Sequence, residues 1–327
     1  MPLFDLPLAD LETYRAGAVP PEDLETFWRT TLAEAEASAT ALRVEPIETG
    51  LRVVETSDVT FSGFGGHPIR AWYHRPADVD TALPLVVRFA GYGGGRGFPH
   101  QPAIWSLAGY GCLEVDTRGQ GSTWDPGHTP DPTGSGPAHP GFLTRGILDP
   151  HDYYYRRVYT DAVRAVDAAK MLRRVDPERI VVTGASQGGG IALAVASLRD
   201  DVLGVMADVP FLSDLRRASE LATSAPSLEL TTYLSTHRDR VATVFATLAY
   251  FDVSVLALFA RAPALFSVAL MDRICPPSTV YAAYNAYGGP KELRIYPYND
   301  HEGGQGVQEL EQLTWLEDLL AEDPRMP

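Results

Sequence analysis

A serine flanked by closely spaced glycines, Gly184-Ala185-Ser186-Gln187-Gly188, is the segment best suited to chemistry. It matches G-x-S-x-G, follows a β-branched run and precedes a run of small residues, which predicts a sharp turn from a strand into a helix. Such a turn lifts the serine hydroxyl clear of the sheet and points the helix N-terminus at it, as acyl transfer requires. A glycine-rich turn that merely contains serine would show the same pattern. The two interpretations are therefore distinguished by whether the chain also offers a base and an acid for Ser186.

A serine hydroxyl is a poor nucleophile unless an imidazole takes its proton. Of the eight histidines, only His237 and His301 follow the serine. In an α/β-hydrolase the acid and then the base follow the serine, with the base on the loop after the last strand. His301 fits that place, whereas His237 falls inside a helical segment. We therefore expect His301 to be the base.

The acid should lie at the end of the strand before that loop. The apolar run 264–271 leads directly into Asp272, which could hold the imidazole tautomer and stabilise its charged form. Asp300 is a weaker candidate because adjacent residues seldom point their side chains at each other, and Asp252 belongs to the helical segment. Asp272 could instead be a turn or N-cap residue.

Acyl transfer also needs two donors for the oxyanion. The backbone N–H of Gln187, directly after the nucleophile, is one candidate. The other should come from the loop after the third strand, which spans 90–95 and contains Tyr92. The alternative is a flexible glycine turn, and the tyrosine inside it argues mildly against that.

The rest of the chain supplies elements that could position these residues. Residues 1–45 are expected to be helical, and residues 52–56, 59–61 and 69–73 have the two-residue period of hairpin strands. From residue 83 onward, strands and helices alternate, which predicts a mostly parallel central sheet with helices on both faces. The predicted strands are 83–90, 111–116, 179–184, 202–208, 264–271 and 292–296, and the predicted helices are 159–174, 189–198 and 307–320.

Two segments interrupt the alternation. Residues 126–152 form an insertion rich in Gly, Pro and His, and long loops of this kind are usually functional or structured by partners. Residues 211–262 form a helical excursion where a lid would lie. We see no repeat and no interdomain linker, so we expect one domain, residues 1–327, with an N-terminal helical extension.

Composition limits the classes of partner. The formal net charge is −15, which disfavours nucleic acid and anionic membranes. Two cysteines, Cys112 and Cys275, give neither a disulfide framework nor zinc spacing, so no metal or cofactor is expected. No apolar run reaches the roughly 18 residues of a membrane helix, and the N-terminus lacks a secretory signal, so a cytoplasmic protein is expected.

Three motifs together resemble one family. Arg118-Gly119-Gln120-Gly121, Gly184-Ala185-Ser186-Gln187-Gly188 and His301-Glu302 are similar to the RGQG, GxSQG and HE signature of carbohydrate esterase family 7, the acetyl xylan esterases and cephalosporin C deacetylases. The resemblance continues through 144–149, 153–157 and 271–277 and covers nearly the whole chain. It implies an α/β-hydrolase with Ser186, Asp272 and His301 as triad and Tyr92 and Gln187 as oxyanion donors.

The resemblance carries further implications and one departure. It implies that Arg118 and Gln120 brace the site, although Arg118 could be an ordinary ion-paired residue, and that the chain forms a hexamer acting on small substrates. The 126–152 insertion would be a natural interface element. The family usually has His before Gly-Tyr in the oxyanion loop, where this chain has Ala90. We also expect four bulky side chains near the strand ends that converge on Ser186 to keep the acyl side small, which favours acetyl esters: Trp105, Phe211, Ile274 and Cys275.

The leading hypothesis is therefore a serine esterase that removes acetyl groups from small oxygen esters. Acetylated xylo-oligosaccharides and cephalosporin C-type esters both fit this hypothesis. A peptidase or lactone hydrolase with the same triad is the alternative among enzymes. A scaffold that retains a catalytically dead hydrolase fold is the alternative outside them.

Overall fold

The computed structural model describes residues 3–101, 104–133 and 141–322. These residues form one mixed sheet covered by helices on both faces. The strands are β1 (Arg43–Ile47), β2 (Val54–Ser62), β3 (Pro68–Pro76), β4 (Leu83–Phe89), β5 (Gly111–Val115), β6 (Val175–Ala185), β7 (Gly204–Asp208), β8 (Ala264–Ala269) and β9 (Lys291–Tyr296). The α-helices are α1 (Leu8–Leu11), α2 (Leu24–Ala37), α3 (Ile104–Leu107), α4 (Tyr154–Lys170), α5 (Gln187–Leu198), α6 (Leu215–Leu221), α7 (Leu228–Thr236), α8 (Val241–Leu248), α9 (Val253–Leu256), α10 (Pro277–Ala286) and α11 (Gln305–Ala321).

The strand order β1-β2-β3-β5-β4-β6-β7-β8-β9 places the nucleophile strand β6 near the middle of the sheet. The first three strands and the β3–β5 pair are antiparallel, and every pair from β5 to β9 is parallel. Parallel strands buried on both faces are continuously apolar, as β8 is. The expected α/β-hydrolase fold with a mostly parallel central sheet is confirmed.

Two hydrophobic clusters pack against opposite faces of the sheet. Successive strand residues point to opposite sides, so Leu85 and Val87 enter the larger cluster with α4 and α5, while Val86 enters the smaller one. The smaller cluster is closed by Trp105 from α3 and Trp315 from α11. The loops at the carboxyl ends of the central strands are thereby held by packing on both faces.

The N-terminal part differs from the expectation in two places. Residues 1–45 are not helical throughout, because β1 begins at Arg43; this edge strand is almost wholly exposed and so lacks a buried alternation that sequence could reveal. The segments expected as separate strands, 52–56 and 59–61, belong to the single strand β2. The polar residue between them, Asp58, is buried because Arg96 donates to it at 2.7 Å.

Helix boundaries also shift. The helix expected at 159–174 spans Tyr154–Lys170, because its tyrosine-rich first turn is buried in the core and β6 already begins at Val175. The helix expected from residue 189 begins at Gln187, directly after the serine. Helix α10 was not expected from the sequence. Its strongest start signal, Pro277 at the first helical position, lies in the run that follows Asp272.

The two interrupting segments take different forms. The described part of the 126–152 insertion is irregular, and its residues 134–140 lie outside the described residues. The 211–262 excursion contains α6 to α9. Residues 238–259 are long and apolar enough to cross a membrane by composition, so the expectation that no such stretch exists was wrong. The stretch is divided between two short α-helices and flanking 3-10 turns, and more than half of it is buried within the fold.

Candidate active site

Ser186 lies on a strained turn between β6 and α5. Its backbone has φ 56° and ψ −121°, a conformation that side-chain-bearing residues rarely adopt. The turn is tight enough to require both glycines: a Cβ on Gly184 would lie 2.4 Å from the Gly188 carbonyl carbon, and one on Gly188 would lie 2.2 Å from the Phe89 oxygen. Ser186 N–H donates to the Asp208 carbonyl at 2.9 Å, which ties the turn to the next strand.

His301 and Asp272 meet as the sequence led us to expect. His301 Nδ1 lies 2.9 Å from Asp272 Oδ2, and the Asp272 side chain is fully buried while that of His301 is 33% exposed. The other carboxylate oxygen of Asp272 accepts the backbone N–H groups of Ile274 at 2.8 Å and Cys275 at 2.9 Å. A carboxylate held in this way keeps the proton of a neutral imidazole on Nδ1 and leaves Nε2 free to accept one.

The hydroxyl of Ser186 faces Cys275, with Oγ and Sγ 4.0 Å apart. Among the described residues it forms no hydrogen bond with His301. Burial, and secondarily the negative charge of Asp272, raise the pKa of the Cys275 thiol well above its ordinary value. Cys275 is therefore a neutral, buried neighbour of the serine rather than a competing nucleophile.

Asp272, Cys275 and His301 offer donor atoms within 4.8 Å of one another, a spacing that a metal ion could use. The chemistry of these donors argues against a metal site. Both carboxylate oxygens of Asp272 already take part in the hydrogen bonds described above. The Cys275 thiol, whose pKa is raised, is a poor metal ligand because metals bind the thiolate.

Two backbone N–H groups are available to an oxyanion. Among the described residues, neither Tyr92 N–H nor Gln187 N–H donates a hydrogen bond; Gln187 is the first residue of α5, where helix N–H groups have no intrahelical acceptor. The loop carrying Tyr92 is tied to α5 through side chains. Gln120 accepts from Gly93 N–H at 2.7 Å and donates to Gln187 Oε1 at 2.9 Å.

The side chain of Gln187 is completely buried, and both its amide nitrogen and its amide oxygen form hydrogen bonds. Its amide group donates to Gln120 Oε1 at 3.1 Å and to the Ala90 carbonyl at 3.3 Å, and its oxygen also accepts from the Tyr155 hydroxyl at 2.8 Å. The backbone of Ala90 thus takes part in the network although its side chain departs from the family pattern. The network holds the backbones at Tyr92 and Gln187, the two expected oxyanion donors, at once, which is a condition for electrostatic stabilisation without reorganisation.

The Tyr92 side chain joins the oxyanion loop to both interrupting segments. Its hydroxyl donates to Glu229 of α7 and accepts from Phe142 N–H at 2.7 Å, while Glu229 also accepts from Leu143 N–H at 3.0 Å. Burial and the adjacent Glu229 carboxylate raise the pKa of Tyr92. The indole N–H of Trp124 donates to the Tyr92 carbonyl at 2.9 Å.

Arg118 is fully buried and supports this region from behind. Its guanidinium binds Asp161 of α4 through Nε at 2.5 Å and Nη2 at 2.6 Å, and its Nη1 lies 3.6 Å from Asp131. Its carbonyl accepts from the Tyr154 hydroxyl at 2.5 Å. Arg118 is therefore both an ion-paired residue and a brace between the insertion, α4 and the Gln120 turn.

The weaker triad candidates have other contacts. The ring of His237 packs 4.5 Å from that of Tyr233. Asp300 accepts from the backbone N–H of His301 at 2.9 Å. Asp252 caps α9 by accepting from Ser254 N–H and also accepts from Asp214 and Leu215 N–H.

The four residues expected around the acyl group lie in two regions. Phe211 is buried beside the nucleophile, where its N–H donates to the Ser186 carbonyl at 2.9 Å. Ile274 and Cys275 follow Asp272 on the loop that faces the serine. Trp105 belongs to the smaller hydrophobic cluster on the other face of the sheet and lines a cavity that also reaches His301. The acyl hypothesis therefore rests on Phe211, Ile274 and Cys275.

Two acidic residues near the site were missed by sequence reasoning. Asp208 ends β7 beside the nucleophile strand, and its position at the carboxyl end of a strand was an available signal. Glu229 lies in α7, 137 residues from Tyr92 in sequence. No local pattern links such distant partners.

Comparisons with known proteins agree on one family. A family model described as acetyl xylan esterase (AXE1) matches residues 1–319. Acetyl esterase Axe7A from Xylanibacter ruminicola is 28% identical over 295 residues, which are 86% of this chain and 63% of that protein, so this chain spans less than two thirds of its length. The structure of acetyl xylan esterase from Paenibacillus sp. R4 is similar with a TM-score of 0.90 and 35% identity, covering 96% of this chain and 99% of its own. The structure of acetyl xylan esterase 1 from Thermoanaerobacterium sp. JW/SL YS485 is similar with a TM-score of 0.88 and 32% identity, covering 96% of this chain and 99% of its own.

Proposed function

Because the chain belongs to the acetyl xylan esterase family, we propose that it is a serine esterase that removes acetyl groups from small O-acetylated substrates. The observation that carries the proposal is the strained turn at Ser186, together with the His301–Asp272 pair on the loops after the last two strands. Among the described residues, the N–H groups of Tyr92 and Gln187 also have no acceptor. Acetylated xylo-oligosaccharides and cephalosporin C-type esters are the proposed substrate classes.

The proposed reaction proceeds through an acetyl-enzyme. The Ser186 hydroxyl first turns from Cys275 toward His301, a rotation consistent with the loose catalytic hydrogen bonds of unliganded sites. His301 Nε2 takes the hydroxyl proton as Oγ bonds to the ester carbonyl carbon, and the oxyanion accepts from Tyr92 and Gln187 N–H. The bond to the alcohol then breaks, and the alcohol leaves with the proton from His301. Water repeats the sequence on the acetyl-enzyme and releases acetate.

Asp272 supports both halves of this reaction. It holds the Nδ1 proton and stabilises the imidazolium that forms when Nε2 is protonated. On the acyl side, Phe211, Ile274 and Cys275 would leave room for acetyl but little more. One methylene in such a pocket is worth about 10–200-fold in specificity. Replacing Phe211 or Ile274 by Ala should therefore raise turnover of longer acyl esters, and no gain would contradict the pocket assignment.

The proposal is tested with three substrates and two serine variants. The wild-type protein should hydrolyse 4-nitrophenyl acetate at least about tenfold faster than the butyrate and leave a peptide 4-nitroanilide intact. A fluorophosphonate should label it, whereas Ser186→Ala should neither turn over ester nor be labelled. Ser219→Ala, at a partly exposed serine of α6, is the matched control and should match wild type.

Other outcomes would identify the alternatives. Cleavage of the anilide at a rate comparable to the acetate would indicate a peptidase. A folded wild-type protein, judged by circular dichroism, that neither labels nor turns over ester would indicate a scaffold. The hexamer is also a proposal, supported by the resemblance to carbohydrate esterase family 7, and light scattering of the full chain tests it.

A further inference from the structure

The loop that carries the expected donor Tyr92 has little stiffness of its own. Gly91 precedes the tyrosine and three glycines, residues 93–95, follow it. Gly93 has a φ of 80°, in the left-handed region that favours glycine. Because glycine restrains the backbone so little, the direction of the Tyr92 N–H depends on the contacts that the loop makes with other segments.

The loop is attached at three different atoms. Gln120 accepts from Gly93 N–H at 2.7 Å, and the Trp124 indole donates to the Tyr92 carbonyl at 2.9 Å. The third attachment is at the far end of the Tyr92 side chain, where the hydroxyl donates to Glu229. Gln120 and Trp124 both lie in the segment after β5, whereas Glu229 belongs to α7. Glu229 therefore ties the oxyanion loop to the helical excursion.

The Glu229 carboxylate uses both of its oxygens in this attachment. Its side chain is buried, and while Oε1 accepts from the Tyr92 hydroxyl, Oε2 accepts from Leu143 N–H at 3.0 Å. The Tyr92 hydroxyl in turn accepts from Phe142 N–H at 2.7 Å. Burying a carboxylate is costly unless its oxygens are hydrogen-bonded, and here they are. The carboxylate and the phenol thus hold two successive backbone N–H groups of the insertion.

The turn around Phe142 encloses the phenol of Tyr92 tightly. A Cβ on Gly141 would lie 2.1 Å from the Glu229 Cδ, so the backbone approaches the carboxylate as closely as glycine alone allows. The rings of Phe142 and Tyr92 pack edge to face with centroids 5.5 Å apart, and the Arg145 guanidinium lies 4.2 Å over the Phe142 ring. The Tyr92 hydroxyl cannot shift without displacing this turn or Glu229.

We propose that Glu229 is a positioning residue for the esterase reaction: by holding the Tyr92 hydroxyl, it directs the Tyr92 N–H toward the oxyanion. The inference rests on the proposed function, because an oxyanion forms only when Ser186 attacks an ester. That charge develops in the transition state and is absent from the bound ester. A misdirected donor therefore lowers kcat and leaves KM nearly unchanged.

The test compares variants of the two partners on 4-nitrophenyl acetate. Glu229→Met keeps the length of the side chain without the carboxylate, and kcat should fall by about tenfold to about 10². Tyr92→Phe loses the hydroxyl alone and should lower kcat by about tenfold. KM should stay within about twofold of wild type in both. Glu229→Gln keeps one acceptor oxygen and should recover part of the kcat that Glu229→Met loses.

The double variant and a matched control separate positioning from general loosening. Combining Tyr92→Phe with Glu229→Met should cost little more than Glu229→Met alone, because the carboxylate acts through the hydroxyl. Tyr159→Phe also removes a buried hydroxyl that binds the helical excursion, at the Phe251 carbonyl 2.9 Å away, but this one does not touch the oxyanion loop. It should lower Tm about as much as Tyr92→Phe and keep the wild-type kcat.

Inhibition by 1,1,1-trifluoroacetone gives a second readout. Ser186 Oγ bonds to its carbonyl carbon, the hydroxyl proton passes to His301, and the ketone oxygen becomes an oxyanion. The inhibition constant should therefore rise in Glu229→Met by about the factor by which kcat/KM falls.

Three results would overturn the positioning role: wild-type kcat in both Tyr92→Phe and Glu229→Met, a loss confined to KM, or equal kcat losses in Tyr92→Phe and Tyr159→Phe. If circular dichroism shows that Glu229→Met does not fold, Tyr92→Phe and Glu229→Gln decide by the same criteria. No nitrophenol release by wild type would contradict the proposed function itself. Release by wild type with unchanged kcat in the variants would contradict the role of Glu229 alone.

Discussion

On the oxyanion side of Ser186, buried side chains from separate segments form hydrogen bonds with one another. On the histidine side, a ring that is one-third exposed is held by a single carboxylate. Gln120 and Gln187 are almost wholly inaccessible and exchange two hydrogen bonds. The loop around His301 bonds mostly within itself: Asn299 donates to Glu302 at 2.9 Å and His301 N–H to Asp300 at 2.9 Å.

The difference follows from what each side must do. Donors that stabilise a developing charge work best when they are already in place, because reorganising them during the reaction costs free energy. A base that accepts a proton and then delivers it must reach two different oxygens, so it needs one firm anchor and an open approach. We therefore expect kcat to fall steeply when Asp272 alone is changed, and to fall in smaller steps as the oxyanion network loses hydrogen bonds.

The largest effect should come from Asp272→Asn. An amide that donates toward Nδ1 would favour the wrong imidazole tautomer, so kcat on 4-nitrophenyl acetate should fall by about 10⁴. Asp300→Asn is the neighbouring control; Asp300 accepts backbone N–H groups rather than the ring, and its loss should cost less than about tenfold. Equal losses in the two variants would mean that the loop, not the carboxylate–imidazole pair, governs the base.

A smaller and graded effect should come from the oxyanion network. Gln120→Met removes the bonds to Gly93 and Gln187, and the resulting misplacement of the donors should lower kcat by up to about 10² with little change in KM. Tyr155→Phe removes one bond on Gln187 and should cost less than about tenfold. An unchanged kcat in Gln120→Met would show that the network does not position the donors.

The smallest effect concerns stability rather than rate. Burial raises the pKa of Asp208 from 3.8 to about 6, although Gln308, Ser267 and Gln312 oppose the shift. Between these values the folded chain binds more protons than the unfolded chain, so this group lowers the free energy of unfolding as pH rises from about 4 to about 6. Asp208→Asn should therefore melt about 3 °C higher than wild type at pH 7.5 and no higher at pH 4.

Calorimetry at both pH values checks this last prediction. Asp201→Asn is a useful contrast, because hydrogen bonds from Arg199 lower the pKa of that carboxyl. Its charge stabilises the fold at neutral pH, so this variant should melt lower than wild type at pH 7.5. A lower Tm for both variants at pH 7.5 would contradict the assignment of Asp208 as the costly charge.

Sequence was most informative where local pattern and topology coincide. The spacing around Ser186 required a tight turn, and the positions of Asp272 and His301 followed from the order of strands. Sequence was silent on contacts between distant segments, such as Tyr92 with Glu229, because the chain has no local signature for them. It also missed β1, whose exposed edge shows no buried alternation, and α10, which follows directly on the loop of Asp272.

The cavity beside His301 shows a different limit of prediction from sequence. Asp208 and Thr183 were visible at strand ends, but their common face emerges only when the parallel strands are aligned. The side-chain period of two then places Thr183 and Asp208 on the same face as the apolar Val181 and Met206, two residues further along each strand. A single strand read alone shows only one polar residue after an apolar run, which is ordinary for a strand end.

The central claim is that Ser186 carries the acetyl group during turnover, and mass spectrometry of rapidly acid-quenched enzyme tests it most directly. After mixing with 4-nitrophenyl acetate, the wild-type protein should gain the mass of one acetyl group on the peptide that contains Ser186. Ser186→Ala should gain none, and Ser219→Ala should behave as wild type. Acetyl found on another residue, or steady turnover by Ser186→Ala near the wild-type rate, would contradict the account.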